Sequence, residues 1–371
     1  MIWPTQGYPS RKELCLLVSH RCNLDCTYCY VDHSRAPAEQ MPLEVAQRAI
    51  SALFADPAYE EVEISFLGGE PLLAFDRIAE IAQWTMDQRW NKPYILFATV
   101  NGTLLTQEMK KWFAEHRKQF YLCLSYDGRY RAQDMNRSRS SGCIDMDFFR
   151  EMWPDQPIKM TVSEESTPYL AKNIIDLHEQ GADMDVNIAL GMPRWKESSV
   201  RVFREQLDLL ADYYLIRPNL TPISFLRHDL RGVFLQEDRT QQYCGAGGQF
   251  RAVYMNGSEY PCHLLSPLVL PPERMLEAEA LDIWHTVVDD LPVCRECLIR
   301  RFCPMCIGMN FKCHKDPAAR DMNSCLLTRQ QLLAACRFQT MLITQGKTPH
   351  ESDAAMARAV LLLARVLTDV G

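Results

Sequence analysis

No apolar run in this sequence reaches membrane-spanning length. The most apolar stretch near its end, AVLLLARVL (359–367), is broken by Arg365 and reads as an amphipathic helix. Positive charge is not in surplus either. Lys and Arg number 40 against 47 Asp and Glu, for a net charge of −7 and a pI of about 5.8. That balance argues against a broad electrostatic footprint for nucleic acid. The local groups Arg137/Arg139 and Arg295/Arg300/Arg301 read as solvated surface or as contacts for a small anion. No charged-then-apolar leader opens the sequence, so a cytoplasmic rather than secreted protein is expected. Internal repeats and low-complexity segments are lacking. The middle is poor in cysteine, with only Cys123 and Cys143 between Cys29 and Cys244.

The ends are not. Of 15 cysteines, Cys22, Cys26 and Cys29 share one short stretch near the start. Cys244, Cys262, Cys294, Cys297, Cys303, Cys306, Cys313 and Cys325 crowd another near the end. A reducing compartment keeps thiols free of disulfides, so clustered cysteines point to metal or iron–sulfur ligation. Two cysteine-rich ends imply two functional modules. The length of 371 residues, 47% of them hydrophobic, allows one large domain or two ordinary ones.

Six β-like runs alternate with helical stretches: 13–19, 62–68, 94–101, 120–127, 157–163 and 184–191. Leu43, Ala46, Ile50 and Leu53 recur at helical spacing, and 75–88, 106–117, 169–180 and 198–215 carry similar faces. Strand alternating with helix implies a parallel sheet buried on both faces, as a partial barrel or an open doubly wound sheet. Either architecture puts chemistry beyond the C-terminal ends of the strands. There stand the three-cysteine loop, Gly68-Gly69-Glu70-Pro71, Asn101-Gly102-Thr103 and Ser125-Tyr126-Asp127-Gly128. Beyond about 218 the pattern changes. Residues 243–263 read as a β-hairpin turning at Asn256-Gly257. Cysteine-dense loops follow, then helices over 327–345 and 353–369.

The stretch SHRCNLDCTYCY (19–30) spaces its thiols C-x3-C-x2-C. A structural zinc site is closed by four ligands, and this loop offers three. A [4Fe–4S] cluster held by three thiolates keeps one iron open. A zinc knuckle or a chance grouping is the plainer alternative. The glycine pair after the second strand lets backbone approach a small ligand, and Glu70 can accept from an amine. With that pair, the loop resembles the signature of the radical S-adenosylmethionine (radical SAM) superfamily. The resemblance implies a partial (β/α)6 TIM-type barrel and a cluster on Cys22, Cys26 and Cys29 whose open iron takes SAM. It implies that Gly68, Gly69, Glu70 and Pro71 hold the SAM amine, with Asn101 on the same rim. By the same resemblance Ser125 and Asp127 reach the ribose, Arg137 meets a carboxylate and Tyr28 packs near the adenine. Strand-end caps and turns are the competing readings.

Cys244-x12-Gly257-x4-Cys262, then Cys294-x2-Cys297-x5-Cys303, Cys306, Cys313 and Cys325, resemble the SPASM extension of that superfamily. Such an extension usually carries two auxiliary [4Fe–4S] clusters, making three with the first. Cys294, Cys297, Cys303 and Cys325 would hold the outer one and Cys244, Cys262 and Cys306 the inner one. The fourth inner ligand is Cys313 or an open site. Cys303 and Cys306 stand one residue closer than the family pattern. A pair of zinc sites is the competing reading. His263 and His314, each after a cysteine, read as loop histidines, with ligation as the alternative. Cys15 and Cys123 read as core residues, and Cys143 and Cys336 as unligated. The resemblance divides the chain into a core (1–217), a cluster-binding extension (218–335) and a helical tail (336–371).

It implies a maturase that abstracts hydrogen from a residue of a ribosomally made peptide and leaves a crosslink or another oxidised product. Expected partners are the precursor peptide and an electron donor such as flavodoxin or ferredoxin. With the first strand beginning near residue 13, the peptide is expected to be held by the barrel and extension, by a separate peptide-recognition protein, or by the tail after 345. Neither nucleic acid nor membrane is expected. A sulfatase-maturing enzyme is the second reading, with Asp229 as candidate proton acceptor or, more blandly, a capping acid. A non-catalytic iron–sulfur or zinc protein is the third.

Overall fold

The computed structural model describes residues 11–235, 242, 244–281, 292–319, 321–347 and 353–368. Strands β1 (Arg11–Ser19), β2 (Glu61–Gly68), β3 (Tyr94–Val100) and β4 (Phe120–Leu124) pair parallel in sequence order. β5 (Ile158–Val162) and β6 (Met184–Ile188) pair parallel as a second ribbon. The ribbon joins β4 through Tyr126 N–H donating to Lys159 O at 2.8 Å. All six expected strands are thus present in order, curled as a partial barrel and not closed.

Helices α1 (Leu43–Ala55), α2 (Phe75–Asp87) and α3 (Gln107–His116) follow the first three strands. α1 and α2 each bury a stripe, in α2 Ile78, Ile81, Ala82 and Thr85 at i, i+3, i+4 and i+7, and α3 buries Phe113. Side-chain caps start several helices, as where Thr106 accepts from Met109 N–H. After β4 come short α4 (Ala132–Asn136) and α5 (Met146–Met152), then α6 (Leu170–Glu179) and α7 (Glu197–Leu215). Alternate residues of β1 serve two cores. Leu14, Leu16 and Val18 meet the helical layer, whereas Cys15 and Leu17 meet Val31, Ala252, Cys262 and Leu264.

The hairpin is β7 (Phe250–Val253) and β8 (Glu259–Tyr260), and Gly257 turns it at φ 89°. β7 adds parallel to the second edge of β1, a partner the sequence did not reveal. Beyond it lie α8 (Pro272–Ala280), α9 (Pro292–Arg295), α10 (Ile307–His314), α11 (Met322–Thr344) and α12 (Asp353–Thr368). α11 runs unbroken across residues 335 and 336 and packs on α7. Its Asn323 donates to the carbonyls of Met192 and Pro193 and accepts from Trp195 N–H, fastening the extension to the loop after β6. No helix among the described residues is long and apolar enough to cross a membrane.

Candidate active site

The loop bearing Cys22, Cys26 and Cys29 leaves β1 and lies over the C-terminal rim of the strands. Two polar networks hold it. The first joins the loops after β1, β2 and β3. Gly69 N–H donates to Ser19 O at 3.2 Å and Glu70 N–H to Arg21 O at 2.8 Å. A Cβ on Gly68 would stand 2.0 Å from Ser19 O, and one on Gly69 2.4 Å from Arg21 O. The glycine pair is therefore required by the backbone of the cysteine loop, a reason distinct from close approach to a ligand. Glu70 accepts from Leu72 N–H and Asn101 N–H, at 3.1 and 2.8 Å. Burial pushes its carboxyl up to about 7 against those two hydrogen bonds. Pro71 opens the short turn that Glu70 caps. Asn101 donates to Asn23 Oδ1 at 2.9 Å, and Asn23 to Thr103 Oγ1 at 2.8 Å.

The second network joins the loops after β1 and β4 to β5. Asp127 receives Tyr28 O–H at 2.6 Å, Asn136 Nδ2–H at 3.1 Å and Thr161 N–H at 3.0 Å. It also pairs with Arg137 Nε at 3.2 Å. The Arg137 guanidinium stands 5.4 Å from the centre of the Tyr28 ring. Four partners thus occupy a carboxylate that is only 1% exposed. Asp127 here organises the loop, and Ser125, at the end of the same strand, is partly exposed. Asp25 N–H donates to Ser138 Oγ and Thr27 N–H to Asn136 O. Arg131, Ser138 and Arg139 all adopt positive φ in this clamp, backbone strain of the kind that gathers at functional sites.

The thiols fit a metal that ionises them. Desolvation pushes Cys22 up to about 11 and Cys26 up to about 12, so both are neutral without one. Cys29, the most open of the three, is raised by the same cause and held back by Val31 N–H, Lys312 and Arg137. His33 Nε2 lies 3.6 Å from Cys29 Sγ. Among the described residues no three His, Cys, Asp or Glu donors close on a single-ion position. A four-iron cube spreads its ligands over separate irons, so the fit rests on the donor chemistry: three thiols on one loop.

The later cysteines fall into two sets. Cys303 is pushed up to about 12 by burial, and then by the neighbouring Cys325, Cys297 and Cys294. Cys262 is raised by burial, Cys306 and Cys244, and Cys306 in turn feels Cys244. Each thiol thus lies within electrostatic reach of others of its own set. Cys313 is exposed on α10, with its Sγ 3.5 Å from where a Cβ on Gly191 would lie. His263 is half-buried between the rings of Tyr30 and Phe250, and His314 is exposed at the end of α10. Cys15, Cys123 and Cys336 are buried, and Cys143 is exposed. Asp229 caps the short turn Leu230–Phe234 and grips Arg231 through both oxygens, at 2.7 and 2.8 Å. That pairing holds its carboxyl below the usual range, which weakens it as a base.

Asn23, Asn136, Tyr30 and Lys312 were not singled out from the sequence. Asn23 lies inside the cysteine loop, a usable signal. Lys312 gave none, being 283 positions from Cys29 in the chain.

Residues 16–141 match the Radical SAM superfamily. Over 144 residues the chain is 31% identical to a cysteine-type anaerobic sulfatase-maturating enzyme of Clostridium perfringens, covering 36% of each protein. The structure of native anSMEcpe with bound AdoMet and Kp18Cys peptide superposes with a TM-score of 0.66 at 19% identity, over 91% of this chain and 100% of that one. Streptococcus suis SuiB bound to precursor peptide SuiA gives 0.54 at 17% identity, over 85% and 76%.

Proposed function

Because this chain belongs to the radical SAM superfamily, we propose that it is a maturase that oxidises or crosslinks a residue of a ribosomally made peptide. It is a radical SAM enzyme, and its first cysteine loop holds a [4Fe–4S] cluster with SAM as co-substrate. When bound, these would supply one-electron reductive cleavage of the SAM sulfonium and, through it, abstraction of a hydrogen atom from substrate. Cys22, Cys26 and Cys29 are the cluster's protein ligands. Gly68–Pro71 and Asn101 form the wall that receives the SAM amine, Arg137 meets its carboxylate, and Ser125 faces the ribose. Tyr28 and Asp127 keep the loop in register. Cys294, Cys297, Cys303 and Cys325 form one auxiliary cluster site and Cys244, Cys262 and Cys306 a three-thiol second. The electron comes from a small donor such as flavodoxin or ferredoxin, and a separate recognition protein assists in presenting the peptide.

The observation that carries this reading is the rim itself: a three-thiol loop locked to the glycine turn after β2, with two further thiol sets in the extension. Two solved neighbours, one bound to Kp18Cys peptide and one to precursor peptide SuiA, support a peptide substrate. Sulfatase-type maturation of a Cys side chain is favoured by the 31% identical relative. The test reconstitutes the protein with iron and sulfide, reduces it, and follows SAM by chromatography. Release of 5′-deoxyadenosine is expected, with about four irons per chain for the first site and about twelve with both auxiliary sites filled. Zinc without iron would sink the reading. Asp229→Ala separates the two activities: loss of Cys oxidation in a sulfatase-motif peptide, with SAM cleavage intact, would select the sulfatase reading.

A further inference from the structure

One cation from the extension reaches the first cluster's loop. α10 starts at Cys306, whose Sγ caps it by accepting from Met309 N–H at 3.5 Å. Its far end is gripped by buried Arg274, which donates to Phe311 O and Lys312 O and lies 4.7 Å from the centre of the Phe311 ring. Between these anchors the helix rests on two glycines. A Cβ on Gly308 would stand 2.9 Å from Leu264, and one on Gly191 2.6 Å from Met309 Sδ. So held, α10 delivers Lys312, whose Nζ donates to Tyr30 O at 2.7 Å, one residue beyond Cys29. Tyr30 returns the contact. Its ring lies 5.4 Å from that of His263, and its phenol is within electrostatic reach of Cys29, Cys262 and Cys306.

We propose that Lys312 is a positioning residue for the first cluster: an ammonium carried by α10 from the inner thiol set, fixing the loop after Cys29 and stabilising the cluster's reduced state. The inference rests on the radical SAM reading. Reduction adds one negative charge to a centre in a partly desolvated loop. A fixed positive charge beside one ligand favours that step, and net charge and hydrogen bonding are established levers on such potentials. The same contact makes the first cluster's geometry depend on the integrity of the extension, because Lys312 and Cys306 share one rigid helix.

The test compares the full reconstituted chain with Lys312→Met and Lys312→Arg. The first cluster is identified by the part of the reduced electron paramagnetic resonance signal that changes on adding SAM. Its midpoint is then titrated with a chemical reductant. Lys312→Met is expected to shift that midpoint to more negative potential, and Lys312→Arg to restore it towards the parent value. If Met destabilises the loop enough to lower iron content, retention of iron by Arg still supports the proposal. A Met variant indistinguishable from the parent in midpoint and spectrum overturns it, as does equal loss in Met and Arg. A parent chain with no SAM-responsive signal would overturn the superfamily reading first, and this inference with it.

Discussion

An added methyl at Gly69 would sit 2.4 Å from Arg21 O, 2.6 Å from Arg21 C and 2.8 Å from His20 O. All three atoms are backbone, and all belong to the run that enters the three-cysteine loop, so no side chain can rotate away. Gly69→Ala is therefore expected to cost about 1–3 kcal/mol by overpacking, or more where the loop must shift. The displacement falls on the cluster ligands. The expected result is a lower urea midpoint together with reduced iron content after reconstitution; a variant that unfolds and loads as the parent does would refute it. Asp127 shows the complementary case. From the sequence it is an acid at a strand end, open to a ligand. In the fold Tyr28, Asn136, Thr161 and Arg137 fill it. Only one of these partners, Tyr28, belongs to the quoted cysteine stretch, so the network was not legible from either segment alone.

Among elements, the six strands and the helices between them were legible because period-2 and period-3.6 patterns are local. β1 was expected over 13–19 and runs Arg11–Ser19; β5 was expected over 157–163 and runs Ile158–Val162. The pairing of β7 with β1 was not legible, because Glu13 and its partner Phe250 are separated by most of the chain and β7 has only 4 residues. The later thiol sets are expected from spacing and resemblance, which leave Cys313 unplaced: on α10 it lies nearly two turns beyond Cys306 and beside Gly191. α10 also supports a prediction of its own. Arg274 is buried, and its guanidinium supplies Lys312 O with a hydrogen bond at 3.2 Å. Arg274→Met keeps the apolar stem but leaves that carbonyl without this donor, at a cost of about 1–3 kcal/mol. A fall in the urea midpoint is expected, with Arg274→Lys intermediate. An unchanged midpoint in the Met variant would show that α10 is held by its other contacts.

At the scale of the whole molecule, the partial barrel encloses charge. Glu13 on β1 and Glu63 on β2 are register partners. Arg11 reaches Glu63 at 3.3 Å, Ser65 O–H donates to Glu13 at 2.9 Å, and Lys159 on β5 lies within electrostatic reach of both carboxyls. Two carboxylates side by side in a desolvated interior cannot both ionise cheaply. Burial first, and then the charge of Glu13, push Glu63 up to about 8 from an ordinary 4.5, while burial also raises Glu13. The sign of the consequence follows. A carboxyl whose folded value is raised binds its proton more tightly when folded, so its contribution to stability is complete below about 4.5 and is lost as pH rises through about 8. Glu63→Gln keeps the shape and an acceptor for Arg11 while removing the titration. At pH 5 the variant and the parent are expected to unfold at similar urea concentrations. At pH 8.5 the variant should be the more stable, because the parent then holds an ionised Glu63 beside Glu13. Parallel pH profiles for the two proteins would mean that Arg11 and Lys159 already neutralise the pair across that range.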